Sequence, residues 1–323
     1  MSYNFGTIPI IKTEVASLRI NFQEKELKIL VTDKFSVIEV CPLCSNKKFN
    51  ELFTFKAKPQ KDNLLSNYIS SQTFSGQRCT NCGLIFLSPV LNQEELNNYY
   101  QSLKVDNQID KNLYKPVMDV IIKYKNEGNL LDVGFGPGAV LDLAKDYGFK
   151  PYGVEISKEA ISHSRDKGFK TYEGEFLDLE LPLRHFDVIT LLSVIEHIKN
   201  PREVIIKCYN LLKKDGVLAI TVPNFGLSAR ILKERWLYLT PYVGHIYCFT
   251  PKVISQILKE ANFLLTEMKI SQFDPELVPS ERSNSYLNFV RLLINSLNNR
   301  LFYYLRQYLK IGDAIFVIAS KPR

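Results

Sequence analysis

The 323-residue sequence predicts an α/β fold: a mostly parallel sheet with helical crossovers from about residue 129 onward, preceded by a small β module built on cysteines. Three observations predict it. Strand-like and helix-like segments alternate from Leu130 to Pro223, three glycines mark the junction of the first such strand with its helix, and two Cys-x-x-Cys pairs stand in the first third of the chain.

In chain order, alternating stretches at Ser17 to Phe22 and Glu26 to Val31 read as a β-hairpin ahead of the first cysteine pair. Cys41 to Leu87 carries both pairs at the ends of a polar, Lys-rich loop, so residues 1–92 form the predicted ribbon-like module. Gln93 to Leu103 reads as a helix opening a helical linker over 93–128. The segments LLDVG, AVLDLAKDYG, PYGVEI, KEAISHSRDKG, FDVITLLS, PREVIIKCYNLLKKDG and VLAITVP then alternate strand with helix. Asn200, Pro201 and Glu203 supply an N-cap, an N1 proline and a capping-box acid, and Thr250 with Pro251 starts another helix the same way. Gly148, Gly168 and Gly216 fall where helices should stop. LLTEMKIS and AIFVIAS read as late strands flanking a helical insertion at about 275–310. The domain over 129–323 has no internal repeat.

Composition sets bounds. Hydrophobic residues at 46% and charged residues at 23% are ordinary globular values, which exclude wholesale disorder or a fibrous architecture. No apolar run reaches the roughly 20 residues that span a bilayer, and the start MSYNFGTIPIIKTEV lacks a basic segment followed by a long apolar one, so the expected location is the cytoplasm. The net charge of +7 is spread along the chain and permits an anionic partner without demanding one.

The run LLDVGFGPGAV places Gly134, Gly136 and Gly138 directly after an apolar strand and directly before an amphipathic helix, where a ligand can meet bare backbone and a helix N-terminus. Glu155 ends the next strand, about 20 residues on, where a carboxylate accepts from both hydroxyls of a ribose. These features specify an adenosine-type ligand on a Rossmann-like sheet. Nicotinamide dinucleotide competes for the same glycines, because Gly134, Gly136 and Ala139 also satisfy its fingerprint.

Asp132, the third glycine and the run EFLDLELPLRHFDVITLLSVIEHIKNPREVIIKCYNLLKKDGVLAITVPN decide between them. From Leu130 to Asn224 the chain resembles class I S-adenosylmethionine-dependent methyltransferases of the ubiquinone-biosynthesis type, with a weaker likeness through GHIYCFTPKVISQILKEANF to the last strand. The resemblance implies a mostly parallel sheet with an antiparallel strand at its edge. It places Asp132, Gly134, Gly136 and Gly138 around the methionine moiety, Glu155 on the ribose and Ile156 on the adenine. Glu175 and Phe176 take the position that contacts the adenine amino group and ring edge, with Glu where the family usually has Asp. Leu192 and Ser193 end the fourth strand beneath the cofactor. Ubiquinone-type members carry an acid at the position of Ser193 that helps hold a divalent cation, so the resemblance does not extend to a catalytic metal.

A sulfonium makes its methyl group electrophilic, leaving the protein to align a nucleophile and remove a proton. His245 and His197 are the candidate bases, His245 preferred; each also reads as a histidine fixing a loop or helix start. Trp236, Tyr238 and Tyr242 near His245 read either as an aromatic wall for a sugar or flat ring, or as core. LLSVIEH lacks the Asn/Asp-Pro-Pro-aromatic signature of amino-group methylation of bases.

Cys41, Cys44, Cys79 and Cys82 have the spacing that closes a tetrahedral zinc site, and four thiolates leave no open position, so a zinc there is structural. Redox pairs or ordinary buried thiols are the alternative; Cys208 and Cys248 read as core. With the continuation GLIFLSPVLNQEELNNYY, this module and core also resemble bacterial enzymes that methylate sugars, including C-methyltransferases of deoxysugar biosynthesis. A small-molecule or glycan acceptor, a sugar or sugar nucleotide first, is therefore the favoured partner, methylated on oxygen or carbon. An RNA-modifying enzyme gripping phosphates through Lys47, Lys48, Lys56 and Lys58 is the alternative, opposed by the interleaved Glu51 and Asp62; a non-catalytic scaffold is another. The stretch 284–310, with Arg291, Arg300 and Arg306 among apolar residues, reads as a helix packed on the domain, a dimer contact or a peripheral membrane contact.

Overall fold

The structure, a computed structural model, describes residues 34–57, 69, 72–102, 110–236, 238, 244–271 and 312–323. Every described residue belongs to one compact unit, within residues 31–323. The expected N-terminal hairpin, the insertion at 275–310 with its membrane reading, and Tyr242 lie outside the described residues.

The cysteine module begins with β1 (Phe35–Ser36), β2 (Phe49–Lys56), β3 (Thr73–Cys79), β4 (Ile85–Ser88) and β5 (Val90–Leu91). Helix α1 (Gln93–Ser102) follows, then a 3-10 turn at Lys111–Tyr114 and α2 (Lys115–Ile121). The alternating region gives β6 (Gly128–Val133), α3 (Ala139–Asp146), β7 (Phe149–Glu155), α4 (Lys158–Asp166), β8 (Lys170–Glu173), β9 (Phe186–Leu192), α5 (Pro201–Leu211) and β10 (Leu212–Pro223). After it come α6 (Leu227–Leu232), β11 (Tyr247–Cys248), α7 (Pro251–Glu260), β12 (Leu264–Ser271) and β13 (Ala314–Ser320).

Seven strands form one sheet in the order β12-β13-β10-β9-β6-β7-β8. The pairs from β10 through β8 are parallel, whereas β13 runs antiparallel to both β10 and β12. The late antiparallel strand predicted from AIFVIAS is present, one place in from the edge, with β12 outermost. Helices cover both faces of a parallel sheet, so its central strands are apolar on both sides. Leu131, Ile189, Leu218 and Ala319 make one buried row across the sheet, while Leu130, Val188 and Val217 make the row on the opposite face. Strand order reverses about β6, between β7 and β9, and the loops leaving the C-terminal ends of these strands frame a crevice, the usual ligand position in such a sheet.

The module is completed from far along the chain. β2, β3 and β4 form an antiparallel sheet whose outer strand is β11, with Tyr247 opposite Phe86 and Cys248 opposite Ile85. One continuous apolar cluster runs from Phe74 and Phe86 through Ile246 and Phe249 to Ile189 and Ile220.

Most local signals act as read. Thr250 caps α7 through Val253 N, and Gly148 and Gly168 adopt the left-handed conformation that closes α3 and α4. Two do not. The Asn200 side chain makes no cap to the α5 backbone and instead meets Glu203 at 3.4 Å. Nor does α5 reach Gly216: it ends at Leu211, and Asp215 carries the left-handed φ of 57°. The stop comes from a distant group, because Lys321 Nζ donates to the Tyr209 and Leu212 carbonyls at 2.7 and 2.9 Å, freeing the chain to enter β10.

Among the described residues no helix is long and apolar enough to cross a membrane. Ile189 is fully buried in β9 between β6 and β10. Ile189→Ala is expected to lower unfolding free energy by about 2–5 kcal/mol, the cost of a core cavity that neighbours on two strands cannot close, measured by urea denaturation.

Candidate functional site

The glycine turn leaves β6 and enters α3 at the crevice. Gly134, Gly136 and Gly138 all have positive φ, 69°, 49° and 82°. A Cβ on Gly134 would lie 2.8 Å from Val194, so that position has no room for a side chain, whereas a Cβ on Gly136 would meet nothing within 4 Å. The turn therefore presents open backbone at Gly136.

Glu155, at the end of β7, is tied directly to it. The Gly136 N–H donates to Glu155 Oε2 at 2.9 Å, and Ile156 N and Ser157 N donate to Oε1 at 2.7 and 3.0 Å. Asp132, two residues before the turn, is 2% exposed and accepts from the Thr190 hydroxyl at 2.6 Å. Burial raises its carboxyl to about 7; the Thr190 bond works against this and the nearby Glu155 charge adds to it. A cationic group arriving beside Asp132 would favour its charged form.

Past β8, Glu175 sits on the turn after Gly174, and Phe176 is buried with the Lys207 ammonium 5.2 Å from its ring centroid. Past β9, Leu192 is buried, and Ser193, at a φ of 56°, donates through its N–H to Thr221 Oγ1 at 2.9 Å. The sequence-predicted cofactor residues thus fall at the C-terminal ends of four adjacent parallel strands.

Next to Ser193 lies a polar cluster. Glu196, fully buried, and His197 belong to a 3-10 turn, and His245 arrives from the segment before β11. Their ligand atoms all lie within 4.8 Å of one another, a donor set that a cation could share, and the two imidazole rings are 4.5 Å apart. His245 Nδ1 lies 2.7 Å from the Tyr238 carbonyl, which can only accept, so Nδ1 carries the proton and Nε2 keeps a lone pair. His197 Nδ1 is shared between the Gly244 carbonyl at 3.2 Å and the Tyr100 hydroxyl at 2.6 Å. Burial pushes His245 down to about 4, the Tyr238 carbonyl resisting, and burial together with the His245 charge holds His197 well below its usual value. Trp236 and Tyr238, 2% and 7% exposed, pack inward; Trp236 Nε1 donates to Asp313 Oδ1 at 3.1 Å, and the Tyr238 ring stacks toward His245. They act as core behind His245.

Sequence reading missed three residues of α1 that touch these groups: Gln93 and Asn97, which bond Glu175, and Tyr100, which bonds His197. The only signal was their spacing on a predicted helix, and spacing does not say which loop a face will meet.

The four cysteines form a second centre. Cys41 and Cys82 sulfurs are 3.6 Å apart, Cys44 and Cys79 sulfurs 3.5 Å, and all four lie within 4.8 Å of one another. Zinc at about 2.3 Å from four sulfurs sets them roughly 3.8 Å apart, so the cage fits that ion. Each knuckle closes with a left-handed residue just after its second cysteine, Ser45 and Gly83. The Cys82 thiol donates to Cys41 and holds it down at about 5, while the same bond drives Cys82 up: one proton is shared where two thiolates would otherwise repel.

The sequence model of the Methyltransferase domain family matches residues 107–268, half of the chain. A ubiquinone biosynthesis O-methyltransferase of Haemophilus ducreyi is 28% identical over 163 residues, covering 45% of this chain and 69% of that protein. An uncharacterised protein of Methanocaldococcus jannaschii is 28% identical over 160 residues, 49% of this chain and 76% of that one. A solved S-adenosylmethionine-dependent methyltransferase of Archaeoglobus fulgidus is 25% identical, covering 66% of this chain and 95% of its own, with a TM-score of 0.46. The family match runs from before α2 into β12 and so includes the strands and loops that carry the glycine turn, Glu155 and the histidine cluster, and the chain belongs to the class I S-adenosylmethionine-dependent methyltransferases.

Proposed function

We propose that this methyltransferase acts on a hydroxyl-bearing small molecule or glycan, a sugar or sugar nucleotide, with His245 removing the acceptor proton. The observation that carries this reading is the Tyr238 carbonyl on His245 Nδ1, which fixes the tautomer that leaves the Nε2 lone pair available beside His197 and Glu196 at the end of β9. Bound S-adenosylmethionine supplies an electrophilic methyl group. Asp132, Gly134, Gly136 and Gly138 would hold its methionine portion, Glu155 its ribose, Ile156, Glu175 and Phe176 its adenine, with Leu192 and Ser193 beneath. Held below their ordinary value, both histidines are neutral at pH 7, so His245 is in the form that can accept a proton there and His197, with its Nδ1 fixed, serves as the second base candidate. The cysteine cage would hold a structural zinc; its likeness to the four-cysteine modules of sugar-methylating enzymes supports the acceptor class.

The first test incubates the protein and methyl-labelled cofactor with a panel of nucleotide-linked sugars and with RNA. Label on a sugar supports the reading, and label on RNA alone overturns it. Glu155→Ala is expected to weaken S-adenosylmethionine binding at least about tenfold by calorimetry, since a charged hydrogen-bonding partner of two hydroxyls is lost. His245→Ala should bind cofactor as the parent does and lose about 10²-fold or more in turnover; full activity in that variant would rule out the base assignment.

The unfolded chain protonates a histidine near its ordinary 6.5, the folded chain His245 only near 4, so unfolding takes up a proton between those values. The His245 contribution to stability is complete above pH 6.5 and is lost as pH drops toward 4, and thermal melting across that window should show the decline, reduced in His245→Ala. Mass spectrometry should find about one zinc per chain, and Cys79→Ser should lose it and melt at lower temperature.

A further inference from the structure

Helix α1 leaves the cysteine module and lays one face along the crevice. Asn97 Nδ2 donates to Glu175 Oε1 at 2.6 Å and Gln93 Nε2 to Glu175 Oε2 at 3.3 Å, while Gln93 Nε2 also donates to Asn97 Oδ1 at 3.0 Å. Residues 93, 97 and 100 share a helix face, and the third, Tyr100, meets His197. The other side of α1 is fixed to the module. Leu96, 3% exposed, belongs to the same apolar cluster as Phe35, Val90 and Leu91; the Asn92 N–H, just before the helix, donates to the Lys34 carbonyl at 2.9 Å; and Lys34 pairs with Glu95 at 3.8 Å. The amides therefore reach Glu175 from a braced helix.

A lone carboxylate on a turn rotates about its last torsion. Held by one amide on each oxygen, its plane is set, and each oxygen keeps a second lone-pair direction for another donor. We infer that Gln93 and Asn97 are positioning residues that act through Glu175 to select a 6-aminopurine, making α1 a part of the cofactor site contributed by the N-terminal third of the chain. This rests on the proposed adenine contact of Glu175. Adenine offers an amino donor at position 6 and hypoxanthine an oxygen acceptor; a fixed carboxylate accepts from the first and repels the second.

The experiment titrates S-adenosylhomocysteine and S-inosylhomocysteine by calorimetry into the full-length protein and into Glu175→Gln, Asn97→Ala and the Gln93→Ala/Asn97→Ala double variant. The readout is the ratio of the two dissociation constants, which does not depend on the fraction of folded protein in a sample. The parent should prefer the adenosyl compound by about tenfold or more, since an acceptor facing an acceptor is an unmade bond and a repulsion. Glu175→Gln should lose most of that preference, and the α1 variants should reduce it about fivefold, the size of one lost hydrogen bond. If Glu175→Gln loses the preference while both α1 variants keep it whole, Glu175 reads adenine and the inference about α1 is overturned. If the parent binds neither compound, or Glu175→Gln keeps the preference, the adenine role of Glu175 fails first and the inference with it.

Discussion

The Glu155 carboxylate holds the crevice together. Three backbone N–H groups from two loops converge on it, Gly136 from the glycine turn and Ile156 and Ser157 from the end of β7. Charge-assisted bonds of this kind are stronger than neutral ones: the Ile156 and Ser157 bonds orient the carboxylate, and the Gly136 bond pins a turn whose glycines would otherwise explore many conformations. The turn in turn fixes where α3 begins. Asp132 and Thr190 repeat the arrangement one strand over, tying β6 to β9 through a buried side-chain bond.

The second organising feature is that the cysteine module and the large sheet are not separable in the described part of the chain. β11 comes from beyond β10 yet completes the module's sheet, and the Ile246 N–H that precedes it donates to the Glu196 carbonyl. Ile246 thus joins the knuckle sheet to the Glu196–His197 turn by hydrogen bonds, from Leu87 N to its carbonyl and from its N–H to Glu196, and its chain neighbour His245 packs its ring on His197. α1 makes a second connection from the module to the rim of the crevice. A cation in the cysteine cage would stiffen β3 and β4, and through them both connections.

Much of the fold was legible because its signals are local. Gly134, Gly136 and Gly138 sit where a strand must turn sharply into a helix, Thr250 caps α7, and the apolar runs of β6, β9 and β10 mark strands buried on both faces. The α5 stop was not legible at Gly216, because Lys321, more than a hundred residues later, supplies the donors that end the helix. Nor could spacing show that Trp236 and Tyr238 point inward: an aromatic cluster looks the same in sequence whether it lines a cleft or backs one.

The sequence by itself determined the α/β class, the glycine turn with its acid, the cysteine cage and the methyltransferase likeness, because each depends on residue type at short or fixed spacing. The tertiary structure decided which distant groups meet. It set His245 against His197 and Glu196, placed Gln93 and Asn97 on Glu175, put Tyr100 on His197, and gave the module its last strand from the far side of β10. These pairings follow from the packing of whole elements against a shared core, a property of the folded chain that no local pattern encodes.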